Sequence, residues 1–139
     1  MRYKGVTQSK AIYNVLLAIR KQLSSLQYTN GGLFLNKKKA FNAVRQMKVL
    51  AETLLTSPEM KLSEDVYSTF RSVWFSVRSI AENFQLAIEW YQKPKSDSVQ
   101  DMKLRKETAL SYERSISDRA ERLYGQINDA IDALMNTKR

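Results

Sequence analysis

The chain has 139 residues, 43% of them hydrophobic, a composition that excludes a disordered protein and supports a single domain with a substantial core. It contains no cysteine and no histidine, which excludes disulfides, zinc fingers and every catalytic dyad built on either side chain. The net charge is +9, and its placement is uneven: residues 1–51 hold ten Lys or Arg and no Asp or Glu, whereas residues 52–139 are almost neutral.

The first predicted helix spans residues 8–27, after a short basic lead at 1–6 that we expect to be flexible. Apolar residues at helical spacing form its buried face. They are Ile12, Val15, Leu16, Ile19, Leu23 and Leu26. Gly31 or Gly32 can close the helix in the left-handed conformation. Asn30-Gly31 is also a hairpin signal, but the helical periodicity on both sides makes this the poorer interpretation.

The second predicted helix spans residues 37–56 and has Asn36 as its N-cap. One side of it is apolar, with Ala40, Ala43, Val44, Met47, Leu50, Ala51 and Leu54. Another side, within an arc of roughly 100°, holds four cations and one aromatic ring. These residues are Lys37, Lys38, Phe41, Arg45 and Lys48.

The third predicted helix, 63–92, is capped by Ser63 and is the most apolar of the four. Its stripe advances by four and three residues without a failure. The stripe is Val66, Phe70, Val73, Val77, Ile80, Phe84, Ala87 and Tyr91, and we expect Phe70, Val77 and Phe84 to be deep in the core. The outer face is predicted to be rich in serine, at Ser68, Ser72, Ser76 and Ser79, with Arg71, Phe75 and Arg78 on one exposed strip.

The fourth predicted helix, 98–136, is capped by Ser98 and has a clear stripe only near its end. The stripe is poor from Lys103 to Glu113, where Lys106 and Glu113 occupy positions that should be apolar. We expect that part to be exposed, kinked or packed against another subunit. Gly125 inside a helix predicts close contact with a neighbouring backbone.

Four amphipathic segments joined by short loops predict an all-α protein, an antiparallel four-helix bundle with long third and fourth helices. The surplus length of these two helices must project past the bundle or find a partner. Phe75, Leu86 and Trp90 lie outside the main stripe of the third helix. Because large aromatic side chains concentrate at interfaces, these three residues predict a homo-oligomer, although a neighbouring element that covers them is the alternative.

No motif for catalysis is present, neither a glycine-rich phosphate loop nor a nucleophile elbow, and di-metal bundle sites usually need a Glu-x-x-His pair. The sequence therefore predicts a protein that is not an enzyme and has no cofactor or metal. Carboxylate-only magnesium chemistry at Glu82 and Glu89 is the remaining alternative, but both are expected to be solvated. No run approaches 18 apolar residues, and residues 11–19 lack a signal-peptide cleavage site, so we predict a cytoplasmic protein without a membrane span.

The cations of the first third predict contact with a polyanion. Nucleic-acid backbones need cations on one face, and single strands also need an aromatic ring on which a base can stack. The candidate nucleic-acid-binding residues are Lys10, Lys21, Lys37, Lys38, Phe41, Arg45 and Lys48.

Two functions are compatible with this pattern. The first is a self-associating, non-enzymatic bundle that binds DNA or RNA independently of sequence through its basic N-terminal third. The alternative is a protein-interaction module, such as an inhibitor, an adaptor or an assembly component, whose basic face binds an acidic protein. Peripheral binding to an anionic membrane has the charges but lacks a helix with a free, bulky apolar face.

Overall fold

The computed structural model describes residues 2–29 and 33–137, and within them the side chains from residue 10 onward. It contains four α-helices, and a short 3₁₀ turn at Pro58–Lys61 joins the second to the third. The helices are α1 Arg2–Ser24, α2 Lys37–Leu55, α3 Glu64–Tyr91 and α4 Val99–Asn136. The predicted bounds of α2, α3 and α4 are confirmed to within one residue.

Capping explains why three helices begin where the sequence predicts. The side chains of Asn36, Ser63 and Ser98 each accept a hydrogen bond from the backbone N–H three residues ahead, at 3.0, 3.1 and 3.1 Å. Each bond satisfies one of the donors that a helix leaves unpaired in its first turn.

The start and end of α1 differ from the prediction. The helix begins at Arg2 rather than at residue 8, and it ends at Ser24 rather than at residue 27. The predicted closure by Gly31 or Gly32 lies outside the described residues.

The two sides of the α1–α2 connection pair with each other. Tyr28 and Phe34 form a single antiparallel bridge, and the N–H of Leu35 donates to the carbonyl of Gln27 at 2.9 Å. This pairing brings the two described sides of the connection together.

The helices form a ring in which each packs on its neighbours in sequence, and α1 completes the ring against α4. The longest contact joins α3 and α4. Along it, Asn83 meets Ser115 and Ser79 meets Arg119, so the chain runs in opposite directions in the two helices. The predicted all-α antiparallel four-helix bundle is confirmed.

One core lies between the four helices. Phe70, Val77 and Phe84 are all buried in it, as their place in the stripe of α3 predicts. The apolar face of α1 is buried in the same cluster, together with Phe34 from the α1–α2 connection. No helix within the described part of the chain has both the length and the apolarity needed to cross a bilayer.

The serine-rich face of α3 is largely turned toward α4, which corrects the prediction of an outer face. Ser68 is exposed, but Ser72, Ser76 and Ser79 are half-buried. The Ser76 hydroxyl donates to the side-chain oxygen of Gln126. Polar atoms of α4 thus form hydrogen bonds with the hydroxyls of Ser76 and Ser79.

Two expectations for α4 also need correction. Glu113 is buried rather than exposed, so the stripe extends back as far as Ala109, whereas residues 103, 104, 106 and 107 are exposed as expected. A Cβ atom added at Gly125 would meet nothing within 4 Å, so this glycine makes no close backbone contact.

The N-terminal segment of α4 extends beyond the end of α3. The pairing of Ser79 with Arg119 places Tyr91, the last residue of α3, at about the level of residue 107. Residues 99–107 therefore project by roughly 13 Å at 1.5 Å per residue. Lys106 is exposed on this projecting segment.

Candidate polyanion-binding surface

A groove of about 280 Å³ runs between α2 and α3, and we call it the α2–α3 groove. Its rim is formed by Phe41, Arg45 and Lys48 from α2 and by Arg78, Glu82 and Gln85 from α3, and its floor by Val44, Ala81 and Phe84. Three of the seven predicted binding residues thus meet in one place, together with an arginine of α3.

Helix geometry accounts for this convergence. Residues 41, 45 and 48 are spaced by four and three, so they share the flank of α2 that faces α3. Arg78 lies on the facing flank of α3 and pairs with Glu82 at 3.5 Å. Among the described residues, no carboxylate lies within 4.0 Å of the charged nitrogens of Arg45 or Lys48. The groove therefore has a net charge of +2, with two cations free to meet an anion.

Phe41 lies at the edge of the core rather than on the surface. Its ring is half-buried, with its centroid 5.7 Å from that of Phe84. The Arg45 guanidinium lies 5.7 Å from the same ring. Packing against the core thus buries much of the Phe41 ring and leaves little of it for a base to stack on.

Lys37 and Lys38 lie at the start of α2, roughly 16 Å along the helix from Lys48. The ammonium of Lys37 is 3.9 Å from the centroid of the Tyr91 ring and 3.8 Å from the Glu113 carboxylate. Of the seven predicted binding residues, Lys37 is thus the one with an acidic partner among the described residues. Lys38 is exposed but lies outside the groove.

Lys10 and Lys21 lie on the outward face of α1, and both are exposed. They are eleven residues apart, which is close to three turns, so they share one side of the helix. This side is distant from α3, and neither lysine lines the α2–α3 groove. The predicted site is therefore split into the groove, the start of α2 and the outer face of α1.

Glu113 is a buried carboxylate that the sequence marks only as an anomaly in the stripe; its exposed fraction is 2%. Its two oxygens accept hydrogen bonds from the N–H of Phe34 at 2.7 Å and from the hydroxyl of Tyr91 at 2.8 Å. Burial, and then the hydrogen bond to Glu113, raise the pKa of Tyr91 above its ordinary value. One carboxylate thus joins the α1–α2 connection to α3 and α4.

A second cavity of about 290 Å³ lies between α3 and α4, and we call it the α3–α4 groove. It is lined by Phe75, Ser76, Ser79, Arg119, Arg122 and Gln126. One Nη of Arg119 donates to the Ser79 hydroxyl at 2.7 Å, and its Nε is buried without a hydrogen-bond partner among the described residues. The sequence could place Phe75 beside arginines of α3 but not beside those of α4.

The three predicted interface residues differ in exposure. Phe75 is 52% exposed and Leu86 is 38% exposed. Trp90 is half-buried, with the Lys93 ammonium 3.8 Å from the centroid of its ring. The projecting segment of α4 carries a more exposed apolar side chain, Val99, at 85%.

Glu82 and Glu89, the candidates for carboxylate-only chemistry, are both exposed. Glu82 pairs with Arg78, and Glu89 accepts a hydrogen bond from Gln85 at 3.5 Å. Within residues 10–29 and 33–137, no three acidic side chains come together in a way that could hold a metal ion.

Comparison with protein families, with curated proteins and with solved structures finds no match for this chain. Its function is therefore inferred from its own residues and their arrangement.

Proposed function

We propose that this chain is a non-enzymatic, nucleic-acid-associated helical bundle that contacts the phosphate backbone through the α2–α3 groove, independently of sequence. The observation that supports this best is the convergence of Arg45, Lys48 and Arg78 on one groove. Guanidinium groups match the geometry of phosphate oxygens and can bind them in a bidentate manner. An intracellular location is the setting that such a function requires.

Electrostatics give the groove its affinity. Each cation that neutralises a phosphate releases condensed counterions, so binding becomes strongly dependent on salt. Arg45 and Lys48 have no acidic partner among the described residues, so they do not have to break an ion pair before they bind. Arg78 does have one, but an exposed pair of this kind contributes only about 0–1 kcal/mol.

The experiment is a salt titration of binding to a fluorescein-labelled oligonucleotide, measured by anisotropy. For three phosphate contacts, log affinity should fall against log salt with a slope of about −2.1 on single strands or about −2.7 on duplex. The variant with Arg45→Gln, Lys48→Gln and Arg78→Gln should bind more weakly, by a similar factor on every sequence, and its slope should move toward zero.

A charge-matched control separates the groove from net charge. Lys39→Gln, Lys61→Gln and Lys95→Gln remove three exposed cations that line neither groove. These changes should leave the slope almost unaltered. Equal loss in both triple variants would contradict the groove as the site. Failure of the unaltered protein to bind DNA or RNA at about 50 mM salt, where phosphate contacts are strong, would reject nucleic acid altogether and favour an acidic protein partner.

Self-association is a second proposal, and a different surface supports it. The projecting segment 99–107 carries Val99 and Leu104, both largely exposed. Leu86, on α3, is partly exposed as well. Exposed apolar side chains gathered on one segment are typical of a protein–protein contact. We therefore propose that a dimer, or a higher assembly, forms through the ends of α3 and α4.

A further inference from the structure

Phe75 is unusual among the phenylalanines of this chain. All five lie within the described residues: three are buried, Phe41 is half-buried against the core, and Phe75 alone is largely exposed. The neighbouring Trp74 contacts it edge-on, with ring centroids 4.9 Å apart. An exposed aromatic ring supported from one side presents a flat apolar surface to a ligand.

Cations surround this ring. The guanidinium of Arg71 lies 5.4 Å from the Phe75 centroid, while Arg119 and Arg122 line the α3–α4 groove beside it. Among the described residues, none of these three arginines has a carboxylate within 4.0 Å of its charged nitrogens. The buried, unpartnered Nε of Arg119 leaves one donor of this groove unused.

The two grooves are adjacent. They flank the same helix, α3, and packed helices lie about 8–10 Å apart, so only about 10 Å separates the grooves. Arg78 of the α2–α3 groove lies one turn from Phe75 on the exposed strip of α3. Cations on α2, α3 and α4 thus lie around the exposed ring of Phe75. We call this set the basic belt; its members are Arg45, Lys48, Arg71, Arg78, Arg119 and Arg122.

We infer that the nucleic acid bound by this belt is single-stranded, and that Phe75 stacks on one of its bases while Arg119 and Arg122 contact adjacent phosphates. This inference rests on the proposed function. Stacking on an aromatic side chain needs a base that is not already stacked within a duplex, and it tolerates any base because every base has a π-face. A duplex could meet the arginines but not the ring.

The test compares three labelled probes of about 12 nucleotides, a length within the range that single-strand sites cover. They are an oligothymidine strand, a duplex of equal length and an abasic strand that retains only sugars and phosphates. The unaltered protein should bind oligothymidine most tightly. Phe75→Ala should weaken that binding about 5- to 150-fold, the loss expected for one stacked base, and should leave duplex and abasic binding unchanged.

Three further variants test the aromatic ring, the two arginines and a control position separately. Phe75→Trp should retain tight binding, and its indole fluorescence should be quenched by the oligothymidine strand. With the three contacts of the α2–α3 groove, Arg119 and Arg122 bring the expected single-strand salt slope to about −3.5, and Arg119→Gln with Arg122→Gln should flatten it by about 1.4. Leu62→Ala is the matched control, because it removes an apolar side chain that is 51% exposed and lines neither groove, and it should have no effect on binding.

The outcomes separate this inference from the proposed function. If no probe binds, the proposed function fails and the inference fails with it. If the abasic strand or the duplex binds as tightly as oligothymidine, or if Phe75→Ala binds oligothymidine normally, phosphate contact stands and the stacking role is overturned. If Phe75→Ala lowers the molecular mass in light scattering, Phe75 belongs to a subunit contact, and the inference is again overturned.

Discussion

Glu113→Ala is expected to destabilise the fold by about 3 kcal/mol, with most of the loss coming from one hydrogen bond. Glu113 is the acceptor for the N–H of Phe34, and both residues are buried. Without the carboxylate this backbone donor has no acceptor and no access to water. A buried donor left unpaired costs about 1–3 kcal/mol.

Two smaller effects accompany this loss. The hydroxyl of Tyr91 also loses its acceptor, but Tyr91 is partly exposed and can turn to water, so the cost is about 0.5–1.5 kcal/mol. Removing a buried carboxylate also removes its desolvation penalty, which offsets part of the total. The net expectation is about 2–4 kcal/mol, which for a chain of this size lowers Tm by roughly 10 °C.

Urea unfolding followed by far-UV circular dichroism measures this change directly. Glu113→Gln is the informative partner variant, because its amide oxygen can still accept from Phe34; its cost should be about 1 kcal/mol. Glu89→Ala removes an exposed carboxylate of α3 and should change stability by less than about 0.5 kcal/mol. If Glu113→Ala lowers the free energy of unfolding no more than Glu89→Ala does, the Glu113 carboxylate does not stabilise the α1–α2 connection, and the role given to its hydrogen bond with Phe34 is wrong.

Three other predictions concern the core, the alkaline range and assembly. Phe70→Ala should cost about 3–5 kcal/mol in the same urea assay, because the ring is fully buried in the core; a loss under about 1 kcal/mol would contradict its position. Because the pKa of Tyr91 is raised in the folded state, its contribution to stability should be complete below the unfolded value of about 10 and should be lost as pH rises above it; Tyr91→Phe should reduce the loss measured between about pH 10 and pH 12. Val99→Ser with Leu104→Ser should convert an assembly to monomers in light scattering; a monomeric unaltered protein would reject self-association.

The helices were predictable because two local signals agree in each of α2, α3 and α4. The apolar stripe marks the buried face, and a capping residue, such as Ser63 before α3, marks the start. The same signals did not locate the ends of α1. Its end was misplaced because the buried face continues through Leu26, two residues past the helix, where the chain has turned toward its pairing with Phe34 and its neighbours.

The α3–α4 groove could not be predicted from the pattern of charges along the sequence. Residues 52–139 carry almost no net charge, so the sequence offers no reason to look there for a polyanion site. The fold brings Arg119 and Arg122 beside Phe75, although more than 40 residues separate them along the chain. The α2–α3 groove was easier to predict because Phe41, Arg45 and Lys48 share one flank of one helix.

The sequence marks Glu113 as an exception in the apolar stripe of α4, but it does not predict what the carboxylate contacts. A charged residue in an apolar stripe indicates either exposure or a buried partner, and periodicity alone does not distinguish them. The partner is a backbone N–H near Phe34, supplied by a connection whose path the sequence does not reveal. Gly125 was misjudged for a related reason, because a glycine in a helix signals close packing only when a neighbour is present.

The polar contacts between α3 and α4 determine how the two helices can slide. Ser76 with Gln126, Ser79 with Arg119 and Ser115 with Asn83 form three directional bonds along one edge. Apolar side chains could exchange partners after a shift of one turn, about 5.4 Å, with little loss, whereas these bonds would all break together. The three bonds therefore fix the register of α3 against α4. This register sets how far the N-terminal segment of α4 extends past α3, and thus the distance between that segment and the basic belt.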